Sequence, residues 1–244
     1  MKSHRVAAAE AEPNTLAVSR EASGRVRLNR ERVLRRAIEL ADAEGLAGLS
    51  MRRLADDLGV VPMALYKHVA GKEVLLDGMV ELVVDEIEPP NMDATWRAAL
   101  RQRILNARRS LLRHPWAPSV IESRTTPTPA LLAYIDAVIG QLLGGGFSAD
   151  LTHHALHALG SRIYGFTQDV LSDSAPDDSP VQAEVARQVA MAYPHIGTMV
   201  GAADHDPSSM VGRGCDDQFE FEFALDLLLD GLEKAAQAER KARR

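Results

Sequence analysis

Apolar residues recur along the chain at intervals of three and four, and the runs are separated by short polar, glycine or proline gaps. In the first run Val33, Ala37, Ile38, Leu40 and Ala41 make one inward stripe, with Asn29 placed to cap the helix and Gly45 to end it. The second is shorter. Met51, Leu54, Ala55 and Leu58 follow Ser50, whose hydroxyl can accept from the free amides of a first turn, and Gly59 can take the left-handed conformation that closes the helix. Pro62 has no N–H to lose in a first turn, so it suits the opening of another helix to about His68, with Val60, Leu65 and Val69 inward. Two helices this short bury too little surface alone. Crossed over a third they make a helix-turn-helix, with its motif at 50–69 and a second helix shaped for a DNA major groove.

The helical period continues downstream. Lys72 opens a helix to about Ile87, and Pro89-Pro90 breaks the chain because proline cannot continue a helix. An amphipathic helix spans 96–113 and ends at His114-Pro115-Trp116-Ala117-Pro118, followed by one helical turn at 119–123. Residues 130–143 are helical until Gly144-Gly145-Gly146 stops them, and long helices occupy 150–171 and 218–240. Between these lie a helix at 181–192, ending before Pro194, and a Gly, Asp and Ser-rich loop at 197–216. No alternating strand pattern stands out, so the fold class is all-α. The reading divides the chain into a disordered arm at 1–26, a three-helix helix-turn-helix DNA-binding domain at 27–88, and a larger helical ligand-binding and dimerisation domain at 89–244.

Composition narrows the class. A chain of 244 residues, 46% hydrophobic, can bury a sizeable core, and one cysteine, Cys215, excludes an intramolecular disulfide framework. No leader and no uninterrupted apolar segment of membrane-spanning length is visible, so the expected location is cytoplasmic, without a membrane partner. The net charge of −6 argues against generic nucleic-acid binding. Its distribution argues the other way. Arginines and lysines from Arg20 to Lys72 outnumber the acids there, whereas Asp and Glu crowd 169–178 and 216–230, so a basic end could dock on phosphates while the acidic body stays clear.

Four ordered signals carry a family resemblance: Ala43-Glu44-Gly45-Leu46, then Gly48-Leu49-Ser50-Met51-Arg52-Arg53-Leu54-Ala55, then Leu58-Gly59-Val60, then Ala64-Leu65-Tyr66-Lys67-His68-Val69 with Lys72 and Leu75-Leu76 behind. Together they resemble the DNA-binding domain of the TetR family of bacterial transcriptional regulators. Gly144-Gly145-Gly146-Phe147-Ser148 and the stretch from Phe221 to Glu233 resemble the C-terminal domain of its tetracycline-repressor branch. The resemblance implies a homodimer in which the helices at 150–171 and 218–240 pair with their mates as a four-helix bundle. The last helix supports this independently. Phe219, Phe223, Leu225, Leu227, Leu228, Leu229 and Leu232 make it apolar over more than one stripe, so it needs cover on two sides.

At the DNA end, Ala64 can touch a thymine methyl, Lys67 can reach guanine O6 or N7 or a phosphate, and Pro62 and Met63 add shape. The resemblance makes Tyr66 and His68 phosphate contacts and Arg52 a base or backbone contact, and Lys72 adds charge beside free helix amides. By themselves Tyr66 reads equally as a core aromatic and His68 as a solvated surface residue. In the body, Trp96, Arg103, Tyr134, His157, Tyr164 and Gln168 combine aromatic surface with a few polar groups, the mixture of a pocket for a small organic effector, though ordinary core packing suits each of them. His153 and His157 lie one helical turn apart, but no third ligand is visible, and the spacing does not decide whether a metal is bound. Where the tetracycline repressor holds its magnesium–drug chelate with a histidine, the resemblance puts Ile121, and Arg103 and Ala107 replace polar drug contacts; tetracycline is therefore not the expected effector. Catalytic motifs are missing: no phosphate-binding glycine loop, nucleophile elbow or zinc-protease motif occurs. The reading is a non-enzymatic, cofactor-free repressor that leaves double-stranded operator DNA when an effector binds. The alternative is an architectural or adaptor DNA-binding protein without a small ligand.

Overall fold

The computed structural model describes residues 27–91, 93–164, 180–203 and 217–243, and the arm at 1–26 lies outside them, as do Gln168 and Cys215. Eleven helices fall among the described residues: α1 (Arg30–Gly48), α2 (Met51–Leu58), α3 (Pro62–Leu65), α4 (Lys72–Asp85), α5 (Trp96–Arg113), α6 (Ala117–Ser123), α7 (Pro129–Gly144), α8 (Ala149–Tyr164), α9 (Pro180–Ala192), α10 (Pro194–Ala203) and α11 (Asp217–Ala242). No strand occurs among those residues. The fold is all-α.

The caps sit where local chemistry puts them. Asn29 Oδ1 accepts from the Arg32 amide at 2.8 Å and Ser50 Oγ from the Arg53 amide at 3.1 Å, each satisfying a donor that a first turn leaves free. Gly59 closes α2 at φ +66, and Gly45 interrupts α1 at φ +72, so a last turn to Gly48 follows a break rather than a continuous helix. The helix opened by Pro62 is shorter than its pattern predicts: regular structure stops at Leu65, and 66–68 form a turn held by the Val69 amide donating to the Leu65 carbonyl at 2.9 Å.

Two further differences have clear causes. Residues 117–123 make two turns rather than one, because Pro118 occupies the first turn, where its missing N–H has no helical partner to lose. Residues 197–203, expected to begin the loop at 197–216, are helical instead: they belong to α10, which folds back on α9, and a Cβ on Gly197 would stand 3.0–3.1 Å from Ala190. The glycine there permits close helix packing, whereas composition alone suggested a turn.

Packing gathers into two cores. The first joins α1, α2, α3 and α4 through Val33, Leu34, Leu54, Leu65, Leu75 and Met79, and takes in Trp116, Ala117 and Val120 of the α6 region. The second joins α5, α7, α8 and α11 through Leu100, Leu142, Leu159, Phe221, Leu225 and Leu229. Tyr134 borders both. Ion pairs fasten α11 to α5: Arg101 donates to Asp226 at 2.9 Å and Glu222 at 2.7 Å, and Arg97 lies 2.7 Å from Asp230. Gln218, and after it Arg101, donate to the Glu222 carboxylate and hold it below its ordinary range. No described helix is long and apolar enough to cross a membrane.

Candidate functional site

At one end α2 and α3 cross under the support of α1 and α4. Leu54, Ala55, Leu65 and Val69 are buried, which fixes the opposite faces of both helices outward. Arg52, Pro62, Met63, Tyr66 and Lys67 are exposed, with Ala64 and His68 half-buried between them. All eight residues singled out at this end are thus exposed or half-buried, seven of them on α2, α3 and the turn after it and the eighth, Lys72, at the head of α4. Tyr66 is 44% exposed, which removes it from the core-aromatic role. The Lys72 ammonium donates to the Leu49 carbonyl at 3.1 Å, tying α4 to the turn before α2, and two of its three donors stay available for an anion. Salt bridges hold the frame: Arg36 on α1 clasps Asp57 on α2, with one contact at 2.8 Å, and Arg53 reaches Glu44 at 2.9 Å. Hydrogen bonds from Arg36 hold the Asp57 carboxyl below the ordinary range, and those to Asp57 and Glu39 raise the Arg36 guanidinium.

The other feature is a cavity between the two cores. It is walled by Val83 and Val84 of α4 and Ile87 just beyond it, Ala107 and Leu111 of α5, Ile121 of α6, Leu131 and Tyr134 of α7, and Ile163 of α8. Its free volume is about 10 Å³, room for about one water molecule. The apolar walls of a pocket are therefore present but closed on one another. Since the C-terminal half of α4 forms one wall and Leu75 and Met79 of the same helix sit in the DNA-end core, one rigid element touches both sites.

Two family descriptions match the chain: "Bacterial regulatory proteins, tetR family" over residues 33–79, and "Tetracyclin repressor-like, C-terminal domain" over residues 88–236. The chain belongs to the TetR family. A Streptomyces coeruleorubidus relative, the HTH-type transcriptional repressor DrrR1, is 41% identical over 46% of this chain, a match that spans only 42% of that relative's length. The class C tetracycline repressor protein of Escherichia coli is 31% identical over 85% of this chain and 92% of its own. Among solved structures, a possible TetR family transcriptional regulator from Streptomyces coelicolor A3(2) superposes with a TM-score of 0.64 at 28% identity, covering 85% of this chain and 100% of that one.

Within this TetR-family chain the candidate effector residues part company. Arg103 and Tyr134 meet: the guanidinium lies 5.7 Å from the ring centroid while donating to Gln141 at 3.2 Å, and Tyr134 lines the cavity. Trp96 does not line it. Its ring packs edge-on against Phe147 at 4.8 Å in the second core. His157 is not a cavity residue either, because α8 turns Ala155 and Leu159 inward and leaves His153 and His157 on its exposed face, with ring centroids 4.7 Å apart. Tyr164 ends α8 with its side chain outside the description, as is the whole of Gln168. Among the described residues no group of three metal-binding side chains comes together.

The pattern of apolar positions gave no sign of the polar junction between the two ends. His114, 7% exposed, places Nδ1 2.9 Å from Asp42 of α1 and Nε2 3.3 Å from Glu86 after α4, and Trp116 donates to the same Asp42 at 2.7 Å. Arg124 after α6 pairs with Glu73 and comes within 2.9 Å of Asp77, both on α4. The only local signal was a histidine and a tryptophan flanking Pro115, which reads as a helix break.

Proposed function

We propose that this chain is a homodimeric, cytoplasmic transcriptional repressor whose grip on double-stranded operator DNA is released by a small organic effector. Arg52, Pro62, Met63, Ala64, Tyr66, Lys67, His68 and Lys72 face the DNA, the first seven along the crossed helices and the turn after α3 and the last at the head of α4. The observation that carries the reading is the double placement of α4, with one end in the reading head and the other walling the cavity. A ligand that wedges the cavity open moves Val83, Val84 and Ile87, and a stiff helix passes that motion to the head. The two recognition helices of a dimer must sit roughly 34 Å apart for successive major grooves, so a small tilt releases the DNA. Tyr134 and Arg103 supply the polar end of an otherwise apolar pocket. Ile121 in its wall leaves no chelating histidine at that place, which supports an effector other than a tetracycline–metal chelate.

Dimerisation is supported by the outer face of α11, where Phe223 and Leu227 are 44% and 57% exposed one turn apart, next to α8. The proposed interface uses α8 and α11. To test the function, the purified protein is used to protect DNA fragments from cleavage, and compounds that raise its melting temperature are then tested for release. A coupling of about 1–3 kcal/mol should appear in both directions, so that DNA weakens the compound as much as the compound weakens DNA. Protection unchanged by every stabilising, cavity-binding compound would overturn release by an effector.

A further inference from the structure

Four consecutive residues at the tip of the reading head, Val61, Pro62, Met63 and Ala64, carry no hydrogen-bonding side-chain group. Two of them are large apolar side chains held in the open: Val61 is 68% and Met63 70% exposed. Single exposed apolar residues need no explanation, but a contiguous exposed apolar run does. Its rim is of another kind, with Arg52 and Lys67 exposed and the Tyr66 hydroxyl beside them. A tip of four residues is too small for a stable protein interface, which buries about 800 Å² per partner. A cationic rim around an apolar point fits a surface that is itself anionic at its edges and apolar at its centre. In a DNA major groove the phosphates supply the edges, and the single apolar group any base pair displays is a C5-methyl on a pyrimidine.

We infer that Met63, flanked by Val61 and Ala64, reads thymine C5-methyl groups, so that operator preference at these positions rests on apolar contact rather than on hydrogen bonds. This rests on the reading of α2 and α3 as the DNA-contacting surface. Arg52 and Lys67 remain for polar readout at neighbouring base pairs and for phosphates. Thymine and 5-methylcytosine carry the same methyl group; the inference commits to thymine.

The probe is a DNA duplex selected by the protein from an unmethylated random pool. Replacing thymine by deoxyuridine, one position at a time, removes the methyl and leaves pairing and hydrogen-bonding edges intact. At one or more positions per half-site the affinity should fall about fourfold, the worth of one buried methylene-sized group. Met63→Ala should bind the thymine and deoxyuridine duplexes equally at such a position, with its melting temperature confirming the fold, and Met63→Leu should restore part of the preference. Equal affinity of the natural protein for thymine and deoxyuridine duplexes at every position overturns the inference, as does an undiminished ratio in Met63→Ala. Tight binding that arises only when 5-methylcytosine is introduced overturns the assignment to thymine. A protein that enriches no DNA at all overturns the DNA-binding reading instead, and the inference with it.

Discussion

Among individual residues, the local ones were legible and the cross-chain ones were not. Asn29, Ser50 and Gly59 act on amides and carbonyls within a few positions of themselves, so their roles follow from type and spacing. Arg36 and Asp57, 21 residues apart, meet only because α1 and α2 cross, and nothing in the pattern singled them out among many surface charges. Their pairing has a measurable pH dependence. The folded state holds the Asp57 carboxyl below its ordinary range through hydrogen bonds from Arg36, so the pair contributes stability above the unfolded carboxylate pKa. That contribution disappears as pH falls through the lowered value. Asp57→Asn should therefore melt below the natural protein by a constant margin from pH 7 to about pH 5, and the margin should shrink below about pH 4. A margin that widens on acidification would show that the carboxylate is not what the clasp depends on.

Most of the elements were visible as apolar stripes, and two of the misread ones share a cause. Pro118 and Gly197 are breakers in isolation, but a first turn tolerates the one and a close helix crossing requires the other. Such tertiary reasons are invisible in a single sequence. The same holds for the junction where α1, α4, α5 and α6 meet on His114, which lies 72 residues from Asp42 in the chain. A ring that faces carboxylates at both nitrogens, with Trp116 donating to one of them, leaves no solvent-exposed slack between head and body. His114→Ala should leave the water-accessible Asp42 and Glu86 carboxylates without that partner and cost about 0.5–1.5 kcal/mol, the net worth of a typical hydrogen bond. Chemical denaturation measures the loss. His114→Asn, which keeps a donor and an acceptor at shorter reach, should recover part of it. If both variants matched the natural protein, the junction would be a surface coincidence and the tie between head and body would run through Arg124 and apolar packing alone.

For the molecule as a whole, the chain explains its own interior better than its outside. Leu225 and Leu229 of α11 are fully buried against the body, which accounts for one apolar stripe of that helix. Phe223 and Leu227 form a second stripe that stays exposed among the described residues. The excess apolar content of the last helix was legible in the sequence; the division into an inner and an outer stripe required the structure. If the outer stripe is where two copies meet, Leu227→Asp places a carboxylate in the interface, at a cost of several kcal/mol unless it finds a partner. Because Leu227 is 57% exposed in the single chain, the substitution should leave the fold and its melting cooperativity intact, and sedimentation should show monomers. The consequence for DNA separates dimerisation from folding. Two linked heads gain roughly a hundredfold to ten-thousandfold over one through effective concentration. The variant should lose about that factor on a full two-fold operator and bind an isolated half-site as the natural protein does. Unchanged sedimentation and unchanged full-site affinity would move the interface away from this face of α11, while a parallel loss on the half-site would mean that the head, not the pairing, had been damaged.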